Sequence, residues 1–254
     1  MSTIRLPQRP TKPRRSGLSQ VLDAGLDLPR FEAIVRSHGP LIDIIKFGWG
    51  SALITPQIKR KIELCRQHSI EPVLGGSLFE YCILTDQYRS FCALLDQLEL
   101  TTVEVSNGCG RIEISRIMAC IGELARDRRI YHEVGSKDLH LAEAMTAEQW
   151  RHQMEAGRNA GAAMSILEAR ESGRAGYCNP EGEARSDLCD LLLDCFGAER
   201  LIFEAPNRSL QAALIRRIGP EANLANIHPD QIIGLETLRL GDRKSTRLNS
   251  SHRT

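Results

Sequence analysis

The stretch ELTTVEVSNGCGRIEISRIMACIGELARDRRIYHEVGSKD, Glu99 to Asp138, holds the pattern that decides the fold. It opens on a short β-branched run, Thr102–Ser106, and passes through Ile114, Ile117, Ile121 and Leu124 at helical spacing. It then returns to a second run, Ile130–Val134. Apolar residues three or four apart mark one face of a helix, whereas compact runs of Val, Ile and Thr between polar turns mark strands. The unit reads strand–helix–strand, and the 28 residues between strand starts match a parallel crossover. Both strands end on groups that a buried strand does not need for packing: Glu104 and Ser106 on the first, Glu133 and then Lys137 on the second.

Outward from this unit the pattern repeats. Strand-like runs fall at Leu18–Leu22, Leu41–Lys46, Glu71–Leu74, Met164–Ala169, Leu201–Ala205 and Asn223–Ile227, with starts 22 to 37 residues apart. Helical stripes lie between them: Ile58, Ile62 and Cys65 behind Thr55-Pro56; Tyr88, Cys92, Leu95 and Leu98; Leu188, Leu192 and Cys195; Leu210, Leu214 and Ile218. Thr146 and Gln149 form a capping box that turns Trp150 and Met154 inward. Eight strands alternating with helices predict a single α/β domain, a closed (β/α)₈ barrel of the TIM type rather than an open doubly wound sheet.

Charge is informative only once located. The 254 residues carry 33 Lys+Arg and 32 Asp+Glu, a formal +1. Residues 1–15, a basic arm, contribute +5, and residues 242–254 contribute +3, so the intervening body stands at −7. The run DRKSTRLNSSH from Asp242 has no apolar periodicity and reads as a non-native tail, which leaves 16–241 as the catalytic barrel, truncated at its carboxyl end. No apolar run approaches the roughly 18 residues of a membrane span, and no h-region follows the basic start. Eight cysteines without a C-x-x-C pair read as reduced thiols of a cytoplasmic protein. The basic arm is short and lacks interleaved aromatics, so nucleic acid is not an expected partner.

In a barrel of this kind chemistry sits at the carboxyl ends of the strands. Asp43 and Lys46, Glu80 behind Gly75-Gly76, Glu104 and Ser106, Glu133 and Lys137, Glu168, Arg170 and Glu171, Glu204, Asn226 and His228 all fall there. Period two places Glu133 with Lys137, Glu168 with Arg170, and Glu104 with Ser106 on common faces. Several cations suit a phosphorylated or sulfonated anion, and carboxylates beside them need a hard cation such as Mg²⁺ to tolerate that anion. A lysine buried there is expected to titrate nearer neutrality and to exchange protons. His228 reads as a loop histidine. From residues alone the chain is an enzyme for a small anionic substrate with a divalent metal.

Motifs in fixed order then give a resemblance. Lys12-Pro13-Arg14 with Gly17, Ile42-Asp43 through Lys46-Phe47-Gly48-Trp49-Gly50, Gly75-Gly76-Ser77-Leu78-Phe79-Glu80, Glu104-Val105-Ser106-Asn107-Gly108, Glu133-Val134-Gly135-Ser136-Lys137, Glu168-Ala169-Arg170-Glu171-Ser172-Gly173 and Phe203-Glu204-Ala205-Pro206 span Lys12 to Gly241. Together they resemble the phosphosulfolactate synthase family. The resemblance implies a Mg²⁺-dependent lyase that adds sulfite to phosphoenolpyruvate, giving (2R)-phospho-3-sulfolactate for coenzyme M or sulfolactate formation. It implies Lys137 as general acid with Glu133 and Arg170 as catalytic partners. Substrate binding falls to Arg14, Lys46, Ser106, Glu171 and Asn226, and metal ligation to Glu168 and Glu204, with Glu133 beside them. A homo-oligomer is implied as well.

Two departures from the family pattern stand out. Ser106-Asn107-Gly108 occupies the place of an Asp-Gly, and Ser136 that of a lysine. Two other readings stay open: a barrel enzyme that uses another nucleophile with a phosphorylated acid, and a non-catalytic, stress-associated relative, as some plant members are.

Overall fold

Eight parallel strands curl round one axis in the computed structural model, which describes residues 9–241. They are β1 (Ser19–Asp23), β2 (Ile44–Phe47), β3 (Glu71–Leu74), β4 (Thr102–Val105), β5 (Arg129–Val134), β6 (Met164–Leu167), β7 (Leu201–Glu204) and β8 (Leu224–Ile227). Each overlaps the run expected for it. The helices are α1 (Leu28–His38), α2 (Ser51–Ile54), α3 (Ile58–Gln67), α4 (Gly76–Leu84), α5 (Tyr88–Gln97), α6 (Ile114–Leu124), α7 (Leu139–Ala144), α8 (Ala147–Ala160), α9 (Ser186–Phe196), α10 (Arg208–Ile218) and α11 (Ile232–Arg239). The proposed tail at 242–254 and the first eight residues of the basic arm lie outside the described residues.

Hydrogen bonds run in the order β3-β2-β1-β8-β7-β6-β5-β4, so β1 and β8 pair and the sheet almost closes into a barrel. Seven ladders make those joins. Among the described residues none joins β3 to β4. Side chains bridge that seam instead: the Thr102 hydroxyl donates to Glu71, and the Gly76 N–H donates to Glu104 Oε1 at 2.8 Å.

The barrel interior shows why the strands end as they do. Leu18, Ile44, Val73, Tyr131, Ile166, Ile202 and Ala225 fill its lower part as one buried plug. Two residues beyond Ile44, Tyr131, Ile166 and Ile202 stand Lys46, Glu133, Glu168 and Glu204. Successive inward positions of a strand are two apart, so each charged group sits one layer above an apolar one. Outside the sheet the helices bury Phe31, Val35, Ile117, Ile121, Trp150, Met154, Leu188, Leu192, Leu210 and Leu214. The Thr146–Gln149 capping box forms as read from sequence.

Some local readings change. Thr55 does not open a helix: it closes α2, its hydroxyl donating to the Ser51 carbonyl at 2.8 Å, and α3 begins at Ile58. Pro56 sits in the turn between them, because a proline ring restricts the residue before it to extended backbone. On α9 the stripe continues through Cys189 and Phe196, while Cys195 is exposed. All eight cysteines are unbridged. Among the described residues no helix is long and apolar enough to cross a membrane.

Candidate active site

Six strands deliver side chains to a cavity of about 280 Å³ at the carboxyl end of the barrel. Lys46, Glu104, Glu133, Lys137, Glu168, Arg170, Glu171, Glu204 and Asn226 line it, together with Gly75, Gly76 and Ser77 at the start of α4. Its centre is a buried charge cluster. Lys46 Nζ lies 3.2 Å from Glu204 Oε1, 3.3 Å from Glu104 Oε2 and 3.8 Å from Glu133 Oε2. Lys137 Nζ lies 3.6 Å from Glu133, 3.8 Å from Glu168 and 3.8 Å from Glu80, and donates to Ser77 Oγ at 3.3 Å. The Lys46 side chain is 6% exposed and that of Lys137 37%, so Lys46 is sealed within the cluster and Lys137 faces the cavity.

Loops, more than strands, aim these groups. β5 ends at Val134, and Gly135 follows at φ 127°, a conformation that L side chains rarely adopt. A Cβ there would stand 2.7 Å from both Glu168 Cβ and Trp150 Cη2. Lys137 therefore meets Glu133 by a turn, not by sharing a strand face with it. Arg170 likewise lies past the end of β6 at φ 58°, with its N–H donating to Glu168 Oε1 at 2.5 Å. Asn226 sits at φ 55° where the β1–β8 register shifts, and its Nδ2 donates to Glu204 Oε1. A bulge re-aims the side chain that carries it. Trp49, also on the cavity wall, has φ 50°. Non-glycine residues held in this sparsely populated region cost about 1–3 kcal/mol each and gather where surrounding structure enforces them.

The electrostatics follow from five carboxylates, Glu80, Glu104, Glu133, Glu168 and Glu204, set against two ammonium groups in a buried volume, so acids outnumber bases. Burial pushes the Glu104 carboxyl up to about 7 despite Lys46 beside it. Burial, then Glu204 and Glu133, raises Glu168 well above the carboxylate range. Burial would raise Glu133 too, but Lys137 and Lys46 outweigh it and hold its carboxyl low. For Lys137, burial favours the neutral amine, yet Glu133, Glu168 and Glu80 more than compensate and hold its pKa above the ordinary lysine value. That is opposite to the shift toward neutrality expected from sequence: Lys137 stays protonated.

Oxygen atoms in this cluster lack hydrogen bonds. Glu104 Oε2, Glu133 Oε1, Glu168 Oε2 and Asn226 Oδ1 are buried with no donor, although three of them face an ammonium at ion-pair distance. Glu133, Glu168 and Glu204 can place one oxygen each within 4.8 Å of one another. Clustered carboxylate oxygens that outnumber the ammonium groups beside them fit a hard divalent cation. Glu204 is the most committed of the three: its Oε1 accepts from Lys46 and Asn226, and its Oε2 from the Ala169 N–H at 3.0 Å.

Other expected residues fall elsewhere. Arg14 is not at this site. It lies at the opposite end of the barrel, where Nη1 pairs with Asp43 at 3.0 Å and Nη2 donates to the Pro40 carbonyl. Asp43 precedes β2 and accepts the Ser19 N–H, so it too belongs to the amino end. The arm crosses the amino end of the barrel, where Arg9 pairs with Glu236 of α11 and Lys12 donates to the Gly39, Ile42 and His68 carbonyls. A cavity of about 650 Å³ opens there, lined in part by Lys12, Arg14, Arg15, Glu71 and Arg129, but Lys12, Arg14 and Arg129 already face carbonyls or carboxylates. Ser106 lies outside the lining of the candidate cavity and donates to Glu80. His228 caps a turn, its Nδ1 accepting the Asp230 N–H at 3.2 Å, and lines an adjoining cavity of about 560 Å³. Glu104 and Glu80, read as polar residues near strand ends, had no role until the geometry brought them to Lys46 and Lys137.

Known proteins resemble this chain in sequence and in fold. The family model described as (2R)-phospho-3-sulfolactate synthase (ComA) matches residues 7–245. The phosphosulfolactate synthase of Bacillus subtilis is 37% identical over 245 residues, 96% of this chain and 97% of its own. That of Methanothermobacter thermautotrophicus is 36% identical over 94% of this chain and 95% of its own. Among solved structures, 3-keto-L-gulonate-6-phosphate decarboxylase from Vibrio cholerae superposes with a TM-score of 0.54 at 12% identity, over 88% of this chain and 97% of that one, a likeness of fold alone.

Proposed function

The chain belongs to the (2R)-phospho-3-sulfolactate synthase family, and from that premise we propose that it adds sulfite to phosphoenolpyruvate in the cavity above β2 and β4–β8. The observation that carries the reading is the Lys137 ammonium, held by Glu133, Glu168 and Glu80 and open on its remaining side to that cavity.

The sulfur lone pair of sulfite forms a C–S bond to the methylene carbon, and the π electrons move toward the carbon that bears phosphate and carboxylate. Lys137 donates its proton to that carbon and is reprotonated from solvent. Because the ammonium is stable at neutral pH, the donor is charged before reaction, and the carbanion it meets is far more basic than an amine. Arg170, exposed on the rim, and Lys137 offer the charge-assisted donors for the anionic substrates. Lys46 serves as the fixed counter-charge of the carboxylates, and Asn226 holds Glu204 in place. Glu133, Glu168 and Glu204 would hold Mg²⁺, which when bound supplies electrostatic stabilisation of charge developing on the substrate carboxylate. Eight unbridged cysteines suit a reducing cytoplasm, and a homo-oligomer is part of the same reading.

The test is sulfite-dependent consumption of phosphoenolpyruvate, with and without Mg²⁺, by the parent and by Lys137→Ala. Turnover is expected only for the parent, with loss on the order of 10³-fold or more in the variant. Undiminished turnover by Lys137→Ala sinks the proton-donor role. A thiol or phosphite outperforming sulfite sinks the choice of nucleophile.

A further inference from the structure

We propose that Glu80 is the positioning residue for Lys137: its carboxylate fastens the loop at 106–109, and that loop backs the Lys137 side chain so that its proton reaches one face of the substrate. The inference rests on the reading of Lys137 as proton donor.

Glu80 comes from α4, outside the barrel wall, and is 6% exposed. Its Oε1 accepts from the Ser106 hydroxyl and from the Gly108 N–H at 2.9 Å, and its Oε2 accepts the Cys109 N–H at 3.0 Å. One carboxylate thus gathers three donors from four consecutive residues of the loop after β4. Asn107 ties the next part of the loop, its Oδ1 accepting the Ile112 N–H at 3.1 Å and its Nδ2 donating to the Ile112 carbonyl at 2.7 Å.

The fastened loop then meets the turn that carries Lys137. The Lys137 N–H donates to the Gly108 carbonyl at 2.8 Å. Its side chain lies so close to Gly108 that a Cβ there would stand 2.9 Å from both Cδ and Cε. Gly108 therefore works as a flat wall against the Lys137 methylenes, fixed in height by Glu80. The same Glu80 Oε1 lies 3.8 Å from Lys137 Nζ, so loop and ammonium answer to one group. The reactive nitrogen hangs on four rotatable bonds, and without a wall those bonds spread it over several ångströms. A displacement of about 1 Å can cost on the order of a hundredfold in rate.

A structural carboxylate and a positioning one differ in what they control. Glu80→Gln keeps the shape but replaces one acceptor oxygen with a donor facing the loop. It is expected to lower kcat about 10- to 100-fold with KM within about threefold, and to lower the enantiomeric purity of the product at the protonated carbon. Gly108→Ala pushes the lysine from the other side with Glu80 intact, and is expected to do the same. Thermal midpoints of both variants establish that they are folded. If Glu80→Gln does not fold, Gly108→Ala decides. Parent-like kcat and purity in the folded variants, or a loss confined to KM, overturns the proposal. Lys137→Ala, run in parallel, separates the two readings: if it is inactive while Glu80→Gln behaves as the parent, only the role of Glu80 falls.

Discussion

Replacing Lys46 by Met removes the one ammonium that is fully enclosed by the cluster and keeps nearly the same length and volume. Three carboxylates lie 3.2, 3.3 and 3.8 Å from that ammonium. At an effective dielectric near 20, each such contact contributes about 5 kcal/mol of attraction. Several kcal/mol of that is cancelled by the cost of taking the ammonium out of water. Breaking a buried ion network by deleting one partner then leaves a net loss of about 3–5 kcal/mol. The loss has a definite pH dependence. Without Lys46 the folded state holds a carboxyl proton that the unfolded state releases, so the deficit is largest near pH 8 and shrinks toward pH 5.5. Removing Lys46 makes the cluster one unit more negative, so a divalent cation such as Mg²⁺ should bind the variant more tightly and return part of the lost stability. Urea unfolding of parent and Lys46→Met at both pH values, with and without Mg²⁺, measures all three effects. A loss under about 1 kcal/mol, a deficit that does not change with pH, or weaker Mg²⁺ binding would refute the picture of Lys46 as internal counter-charge.

Two further outcomes are expected. Arg14→Ala should leave kcat and KM unchanged, because Arg14 pairs with Asp43 at the far end of the barrel, while unfolding in urea shifts by about 2 kcal/mol; a kinetic effect would return Arg14 to the site. His132 lies on the outer face of β5, its Nδ1 unpaired and its pKa lowered by burial to about 4, so protonation opposes folding. Its stability contribution is complete above about pH 6.5 and is lost as pH falls toward 4, about 3 kcal/mol in all; His132→Gln should flatten unfolding midpoints over that window, and an unchanged slope argues against it.

Strands such as β2, β6 and β7 were legible because they are largely buried on both faces and so spell out short apolar runs. The site was legible because four inward positions carry Lys or Glu two residues past an aliphatic or aromatic one, as at Ile44 and Lys46 or Ile202 and Glu204. What could not be read was whatever depends on chain leaving the strand. Lys137 and Arg170 were placed by extending an alternation that stops at Val134 and Leu167. They reach the cavity through turns at positive φ, which alternation does not describe. Arg14 failed for a related reason: an arm has no periodicity, so nothing local states which end of the barrel it crosses. Asp43 was assigned with it to the wrong end, because the run from Leu41 began three residues before β2 does. Glu80 stands on a helix, where its neighbours Phe79 and Leu78 announce only packing.

The unladdered seam between β3 and β4 gives the barrel an unequal dependence on its genes. Seven joins are made by peptide groups, which every residue but proline supplies, so drift in side chains leaves them standing. The eighth is spelled in particular side chains, Glu104 reaching the Gly76 N–H and Thr102 reaching Glu71. A single codon change at Glu104 therefore removes both a cavity carboxylate and a clasp. Cavity charge and barrel closure thus share one side chain, and neither can be altered at Glu104 without disturbing the other.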